Sequence, residues 1–487
     1  MKPGSASSQE QLISTYYDTP DLVLKQQAMT LRVRERGGEF IQTVKTGDLG
    51  AGEILSRGEW EDRVVDYRPD LTAEQSGPHL PRGLAENLRP VFVTDVMRTA
   101  YEVEPAPGTE IEAAVDKGEI KEADGDKTEP VSEVELELKR GDAAALYDLA
   151  LKLLGVAPLR IELRSKSERG YRLVDRGEPF PAAVHAAPVA LDPEMTVGNA
   201  LQKIARSCFA QLIRNEAAVL ADEPEGVHQM RVALRRVRSA VSSLKGQLPA
   251  EDHDWMTEQL RWLGSTLGAA RNLDVFAIEL LPAARGGLPD EPGWDDVATT
   301  LVRLRQQAYR EVKDAIASRR YTETVLQLLR WFEGQDRHEH PVGKDGDAAA
   351  ASIGTVAAGV LDRRRRRIRK RSKGFGRLTP PERHKLRIAA KKLRYTTELF
   401  GTLYSGDRLH SFLNYLKRVQ GSLGYANDVR VAHEFVPDLF ARTQPGNSAI
   451  HAWITLLEWH DQLLARDERR LRKQVERLRG ASPFWRA

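Results

Sequence analysis

Two blocks of this 487-residue chain recur at one fixed distance, and that recurrence restricts its fold more than any other feature. His228-Gln-Met-Arg-Val-Ala-Leu-Arg-Arg-Val-Arg238 returns as His384-Lys-Leu-Arg-Ile-Ala-Ala-Lys-Lys-Leu-Arg394, 156 residues later. Leu260-Arg-Trp-Leu-Gly-Ser-Thr-Leu-Gly268 returns at the same offset as Leu416-Lys-Arg-Val-Gln-Gly-Ser-Leu-Gly424, and Ala270-Arg-Asn-Leu-Asp274 is echoed by Ala426-Asn-Asp428. Two blocks with a common offset mean a duplication. The surrounding sequence has a 3.6-residue hydrophobic period, with Leu/Ala/Arg-rich stretches and short Gly and Pro breaks. Residues 196–487 therefore read as all-α: two duplicated helical bundles, about 196–345 and 350–487.

The repeated helix carries its own chemistry. His228, Arg231, Arg235 and Arg238 are spaced 3, 4 and 3, so they line one face, while Met230, Leu234 and Val237 form a separate apolar stripe. His384, Arg387, Lys391 and Arg394 repeat the face, with Leu386 and Leu393 inward. Each like-charge pair at i,i+4 costs a few tenths of a kcal/mol, which a bound anion would offset. Arg214 and Lys370 each lie 14 residues before the histidine of their repeat, and Arg363–Lys373 is a dense basic run. A guanidinium fork grips two phosphate oxygens at once. Nucleic acid is the competing ligand. Trp255 and Trp262 fall on apolar helix faces rather than among the cations, which argues against base stacking and for a bare phosphate chain.

Charge separates this half from the first. Residues 1–190 hold 24 Lys+Arg against 34 Asp+Glu, and residues 191–487 hold 49 against 36. Residues 176–195, with four prolines, read as a linker. Before it the period is two. Apparent strands are Thr30–Arg36, Ile41–Lys45 after a Gly37-Gly38 turn, Leu55–Val65, Val91–Val103, Glu110–Lys121, Pro130–Lys139 and Arg160–Leu173, with one helix at Asp142–Leu154. Opposite the apolar residues stand runs of like charge: Arg32, Arg34 and Arg36 on one strand, Glu133, Glu135 and Glu137 on another, Glu59 and Glu61 around Trp60. A single solvated sheet face explains most alternation. Crowded like charges persist more easily when something of opposite sign binds between them. Arg and Lys suit phosphate oxygens, and carboxylates suit Mg²⁺ or Mn²⁺.

In order along the chain, Tyr16-Tyr-Asp-Thr-Pro-Asp21, Leu31-Arg-Val-Arg34, Thr43-Val-Lys45, Arg57-Gly-Glu-Trp-Glu61, Met97-Arg-Thr, Ala114-Val-Asp-Lys-Gly118, Glu133/Glu135/Glu137 and Arg164-Ser-Lys-Ser-Glu168 resemble the CYTH, or triphosphate tunnel metalloenzyme, domain. The His-x-x-Arg blocks and Leu-Gly…Asn…Asp segments of the second half resemble the CHAD domain, a conserved-histidine α-helical domain that often follows CYTH. The expected architecture is thus α+β and multidomain: an N-terminal antiparallel β-barrel over residues 1–175, a linker, and the CHAD bundles. The first resemblance implies that Arg32, Arg34, Lys45, Arg98 and Lys166 bind triphosphate. It implies that Glu59, Glu61, Glu135 and Glu137, with Asp116 as a weaker candidate, bind Mg²⁺ or Mn²⁺. Inorganic triphosphate, a nucleotide and thiamine triphosphate all stay open as substrates. The second implies polyphosphate on His228, Arg231, Arg235, Arg238, His384, Arg387, Lys391, Arg394, Arg214 and Lys370. The tunnel family's Glu-x-Glu-x-Lys strand has no counterpart in Met1–Ser8. The expectation is either a chain that starts downstream of it or a tunnel without its first strand, which would then serve only for binding.

The remaining features set the context. Cys208 stands alone, so no internal disulfide is expected and a reducing compartment fits. No apolar run approaches the ~18 residues that span a bilayer, and Met1–Glu10 has no apolar signal core. The expected location is the cytoplasm, with polyphosphate granules as a point of association, and the expected partners are polyphosphate and triphosphate rather than membrane or nucleic acid.

Overall fold

The computed structural model describes residues 8–47, 58–84, 87–175, 181–334, 351–404, 406–443 and 446–486. The chain divides into two compact units, Met1–Ala182 with Thr322–Gln335, and Ala183–Tyr321 with Asp336–Ala487. The expected Met1–Ser8 start, the Leu55–Arg57 end of one strand, the first residues of the linker and the boundary between the repeats fall wholly or mainly outside the described residues.

The first unit is an antiparallel sheet. Its elements are β1 (Gln9–Asp18), α1 (Val23–Gln26), β2 (Met29–Arg36), β3 (Glu39–Thr46), β4 (Gly58–Val64), β5 (Arg89–Ala106), β6 (Thr109–Glu122), β7 (Thr128–Arg140), α2 (Ala144–Leu154) and α3 (Lys166–Val174). The strand order is β4-β3-β2-β1-β5-β6-β7. Gly37 and Gly38, at φ +58° and +84°, close the β2–β3 hairpin, where two consecutive positive φ values suit the right-handed twist of the strands. The registers Arg32↔Thr43, Lys45↔Glu59, Arg98↔Asp116 and Asp116↔Glu133 put the charged positions on one face. The opposite face of the β2 side buries Leu31, Val33 and Val44 with Tyr17, Leu24 and Leu84.

Three sequence expectations change here. The barrel is not closed: among the described residues the ladder ends on β4 and on β7, with no strand between them. β1 was not read as a strand, yet it lies in the middle of the sheet. Leu12 and Tyr16 are buried on one face of it and Tyr17 on the other, so its burial does not alternate cleanly. The expected strand Arg160–Leu173 is instead a loop followed by α3. Ser165 accepts from the Glu168 amide at 3.2 Å, and the Glu168 carboxylate accepts from the Ser165 amide at 2.8 Å. That reciprocal cap starts a helix where alternation suggested extended chain. Tyr171 of α3 then packs among Tyr16, Phe92 and Val96, and Gly170 is required because a Cβ there would overlap the Phe92 ring.

The second unit is helical: α4 (Val197–Arg214), α5 (Glu216–Leu220), α6 (Pro224–Ser243), α7 (Ala250–Thr266), α8 (Gly268–Asp274), a π-helical turn at Val275–Leu280, α9 (Leu281–Gly287), α10 (Trp294–Ala317), α11 (Arg319–Glu333, of which residues 322–333 group with the sheet), α12 (Ile353–Arg371), α13 (Pro380–Phe400), α14 (Asp407–Thr443) and α15 (Asn447–Gly480). The duplication reaches further than the sequence blocks. Thr196 and Ser352, again 156 apart, cap α4 and α12 by accepting from Asn199 and Thr355 amides, and they pair in an isolated β-bridge. Pro224 and Pro380 open α6 and α13 at the same offset. α6 packs against α4, α7, α8 and α13, and α13 against α12 and α14, so the two repeated helices meet. Ser243 and Thr396 touch across that seam at 3.2 Å. Among the described residues no helix is long and apolar enough to cross a membrane.

Candidate functional sites

The charged face of the sheet encloses a cavity of about 300 Å³. Arg32, Arg34, Lys45, Arg98 and Lys166 line it together with Glu59, Asp116, Glu135 and Glu137. Glu61 stands just outside that lining, accepting from Thr43 at 3.0 Å and 4.0 Å from Arg32. The basic side is incompletely neutralised. Arg34 donates to Ser14 at 2.8 Å, and burial together with the neighbouring Arg32 and Arg98 lowers its pKa to about 10. Arg32 reaches Glu59 at 3.7 Å, but its buried Nε has no hydrogen-bond partner among the described residues.

The acidic side is denser. Asp116, Glu133 and Glu135 bring carboxylate oxygens within 4.8 Å of one another. Glu133 was read on the acidic strand but not as a ligand. The Asp116↔Glu133 register, which only the ladder supplies, brings it in. The Lys166 ammonium sits among all three, 2.5 Å from Glu133, 2.6 Å from Asp116 and 2.8 Å from Glu135. Arg98 donates to both Asp116 oxygens at 2.8 and 2.7 Å and also pairs with Glu135, while Arg169 pairs with Glu133 at 2.7 Å. Burial alone would raise the fully buried Asp116 carboxyl, but hydrogen bonds from Arg98 and Lys166 hold it below its ordinary range. Burial likewise opposes the Lys166 charge, and Glu135 with its two neighbours outweighs it and raises the pKa.

In the helical unit, α6 and α13 bring Arg231, Arg235, Arg387 and Lys391 together. Arg231 donates to the Gly264 carbonyl at 3.0 Å, and Arg235 lies over the Tyr395 ring at 5.6 Å. The buried Nε atoms of Arg235 and Arg387 have no partner among the described residues. Burial, then Arg387 and Arg235, pushes the Lys391 ammonium down to about 7 against the pull of Asp428. Burial, then Arg271, pushes His228 down to about 4, leaving a neutral imidazole at pH 7. Arg238 lies near Lys392 and Arg261.

The family comparisons agree with both halves. The CYTH domain model matches residues 3–171 and the CHAD domain model residues 203–437. The chain is a CYTH domain followed by a CHAD domain. An inorganic triphosphatase of Haemophilus influenzae is 34% identical over 161 residues, 33% of this chain and 45% of that protein. The chain thus spans less than half the length of this relative. An uncharacterized protein of Mycobacterium tuberculosis is 27% identical over 440 residues, covering 81% of this chain and 77% of its own. The crystal structure of the CHAD domain from the plant Ricinus communis superposes with a TM-score of 0.53 at 27% identity, over 62% of this chain and 99% of that one.

Some expected CHAD residues stand apart. Arg394 is paired within its own helix, donating at 2.7 Å to Glu398, one turn beyond the basic stripe of α13. His384 is half-buried on the face of α13. Arg214 ends α4 half-buried and Lys370 is exposed near the end of α12, and neither ranks among the strongest charges on Lys391, Arg387 or His228. The basic run of α12 divides. Arg364 is buried and donates to Ser243 at 2.8 Å, Arg365 donates to the Ala481 carbonyl, and Arg363, Arg366, Arg367 and Arg369 are exposed. Trp262 is not open for stacking on a base, since Arg320 covers its face at 4.1 Å. Arg271, Asp428 and Tyr395 of the cleft were missed as cleft residues. The Asn…Asp segments of the repeat were the available signal for the first two.

Proposed function

We propose that the CHAD domain of this chain binds inorganic polyphosphate in the cleft between α6 and α13, and that its CYTH cavity binds and hydrolyses inorganic triphosphate with Mg²⁺ or Mn²⁺. One observation carries both parts. In each domain, arginines implicated in phosphate binding bury a guanidinium N–H that has no partner among the described residues: Arg32 in the cavity, Arg235 and Arg387 in the cleft. A buried unpaired donor costs about 1–3 kcal/mol, and phosphate oxygens would satisfy it with charge-assisted bonds. The match to an inorganic triphosphatase over the CYTH residues supports the substrate of the first site.

The residues fit the metal. Asp116, Glu133 and Glu135 offer hard oxygens within 4.8 Å, the donor type that Mg²⁺ and Mn²⁺ prefer. A divalent ion held there would supply Lewis-acid charge to a phosphoryl oxygen. The protein's own share is positioning and neutralisation. Arg32, Arg34 and Lys45 hold the anion from β2 and β3, Arg98 spans Asp116 and Glu135, Glu59 and Glu137 complete the acidic lining, and Glu61 stands behind it.

Orthophosphate release from inorganic triphosphate tests this with Mg²⁺ and with Mn²⁺. The expected result is turnover that Glu135→Ala reduces at least tenfold. No turnover above that variant overturns the hydrolase and favours the second reading, a tunnel that only binds, which the ladder's ending on β4 and β7 among the described residues supports. That outcome leaves the chain a polyphosphate-binding protein, with association with polyphosphate granules as its setting. Competition tests the cleft separately: polyphosphate should displace labelled polyphosphate far better than DNA or RNA of equal charge, and equal competition would overturn it.

A further inference from the structure

We infer that Lys166 is the resident counter-cation of the acidic triad, competing with the divalent metal for Asp116, Glu133 and Glu135. The inference rests on the metal reading above. Its ground is geometric: one ammonium lies 2.5–2.8 Å from three carboxylate oxygens that themselves lie within 4.8 Å of one another. This is the space in which a small divalent ion would bind, at about 2.0–2.2 Å from each oxygen. An ammonium and a divalent ion cannot share that space, because two cations less than 3 Å apart repel strongly in a part-buried site.

Each carboxylate of the triad has a flanking arginine besides Lys166: Arg98 pairs with Asp116 and Glu135, and Arg169 with Glu133. The arginines are committed from the flanks: Arg98 is forked onto Asp116, and Arg169 also donates to Glu129 and to the Pro130 carbonyl, both at 2.7 Å. Among the described residues Lys166 alone reaches all three carboxylates, on a flexible stem, and it lines the cavity beside Arg32, Arg34 and Lys45. Its backbone cannot follow it out, since the Ser165–Glu168 capping box and Tyr171 pin α3. Metal arrival therefore frees an ammonium on a fixed base, within the cavity that holds the anion. Metal and anion then strengthen one another's binding, and by linkage the factor is the same in both directions.

Two measurements on the full chain test this. Mn²⁺ binding, followed by the electron paramagnetic resonance of free Mn²⁺ without any phosphate present, should be about tenfold tighter in Lys166→Met than in the native chain. It should stay weak in Lys166→Arg, which keeps the charge. Equal affinity in native chain and Lys166→Met overturns the counter-cation role and leaves the metal site intact. No Mn²⁺ binding in either overturns the metal reading and this inference with it. The second measurement needs no variant. Amine acetylation of native Lys166, read by mass spectrometry, should rise several-fold on adding Mg²⁺ and fall again when inorganic triphosphate is also present. Reactivity indifferent to Mg²⁺ overturns the proposal.

Discussion

Lys391 is the residue at which the CHAD cleft should declare its ligand. Its ammonium faces Arg387 on its own helix, Arg235 and Arg231 on α6, and, opposing them, the Asp428 carboxylate on α14. The pKa falls from 10.5 to about 7. Taken at face value that difference is worth roughly 5 kcal/mol, and solvent reaching this half-buried site reduces it to roughly 2 kcal/mol. An amine with a folded pKa below its unfolded one destabilises the fold while it is charged. The penalty is complete below about pH 7 and is relieved as the pH climbs from 7 toward 10.5. Lys391→Met should therefore stabilise the ligand-free chain by roughly 2 kcal/mol at pH 6.5, with the gain vanishing near pH 10.5, as read by urea unfolding. Polyphosphate reverses the sign by supplying the missing negative charge. Binding at pH 8 should draw up close to one proton at Lys391, visible as a calorimetric heat that differs between buffers of different ionisation enthalpy, and affinity should decline from pH 6.5 to 8.5. A variant no more stable than the native chain at pH 6.5, or binding without proton uptake, would refute the reasoning.

Three further outcomes follow from the same geometry. Arg235→Ala and Arg387→Ala each remove a buried N–H that has no partner among the described residues, so polyphosphate binding should weaken roughly 10- to 150-fold with little loss of stability, measured by titration and by melting of the same samples. Asp116→Ala removes the carboxylate on which Arg98 is forked and one of the three around Lys166, while Glu133 and Glu135 still pair with these cations, so it should cost about 1–3 kcal/mol in urea unfolding; no measurable loss would mean that the remaining carboxylates replace it fully. Gly170→Ala pushes a methyl into the Phe92 ring and should cost about 1–3 kcal/mol, with a matching drop in Tm, because Tyr171 must shift out of its place beside Phe92.

Much of the CYTH site could be read from the sequence because a strand alternates with a period of two. Once Leu31 and Val33 face a core, Arg32 and Arg34 must share the other side, and the same logic groups Glu133, Glu135 and Glu137. Alternation fails where an element is buried on both faces, which is why β1 went unread, and where a cap overrides it, as Ser165 and Glu168 do at α3. The Ser-x-x-Glu spacing was available as a signal for that helix and was outweighed by the Ile161/Leu163 alternation before it. In the CHAD half the helical period fixed which cations share a face, but not that Arg394 would turn to Glu398 or that Arg236, one residue from the stripe, would be buried and bound to the Ala187 carbonyl.

The duplication itself belongs to the sequence: an offset of 156 residues repeats a basic helix, and no tertiary fact is needed to see it. What the sequence by itself determined is which charges lie on a common face, because helix and strand periods are local geometry. Which faces meet was decided only by the tertiary structure, because α6 and α13 converge, and Lys166 drops among three carboxylates, through packing between residues far apart along the chain. In the first case the meeting crowds cations whose buried N–H groups, at Arg235 and Arg387, have no partner among the described residues. In the second it leaves a cation where a metal would sit.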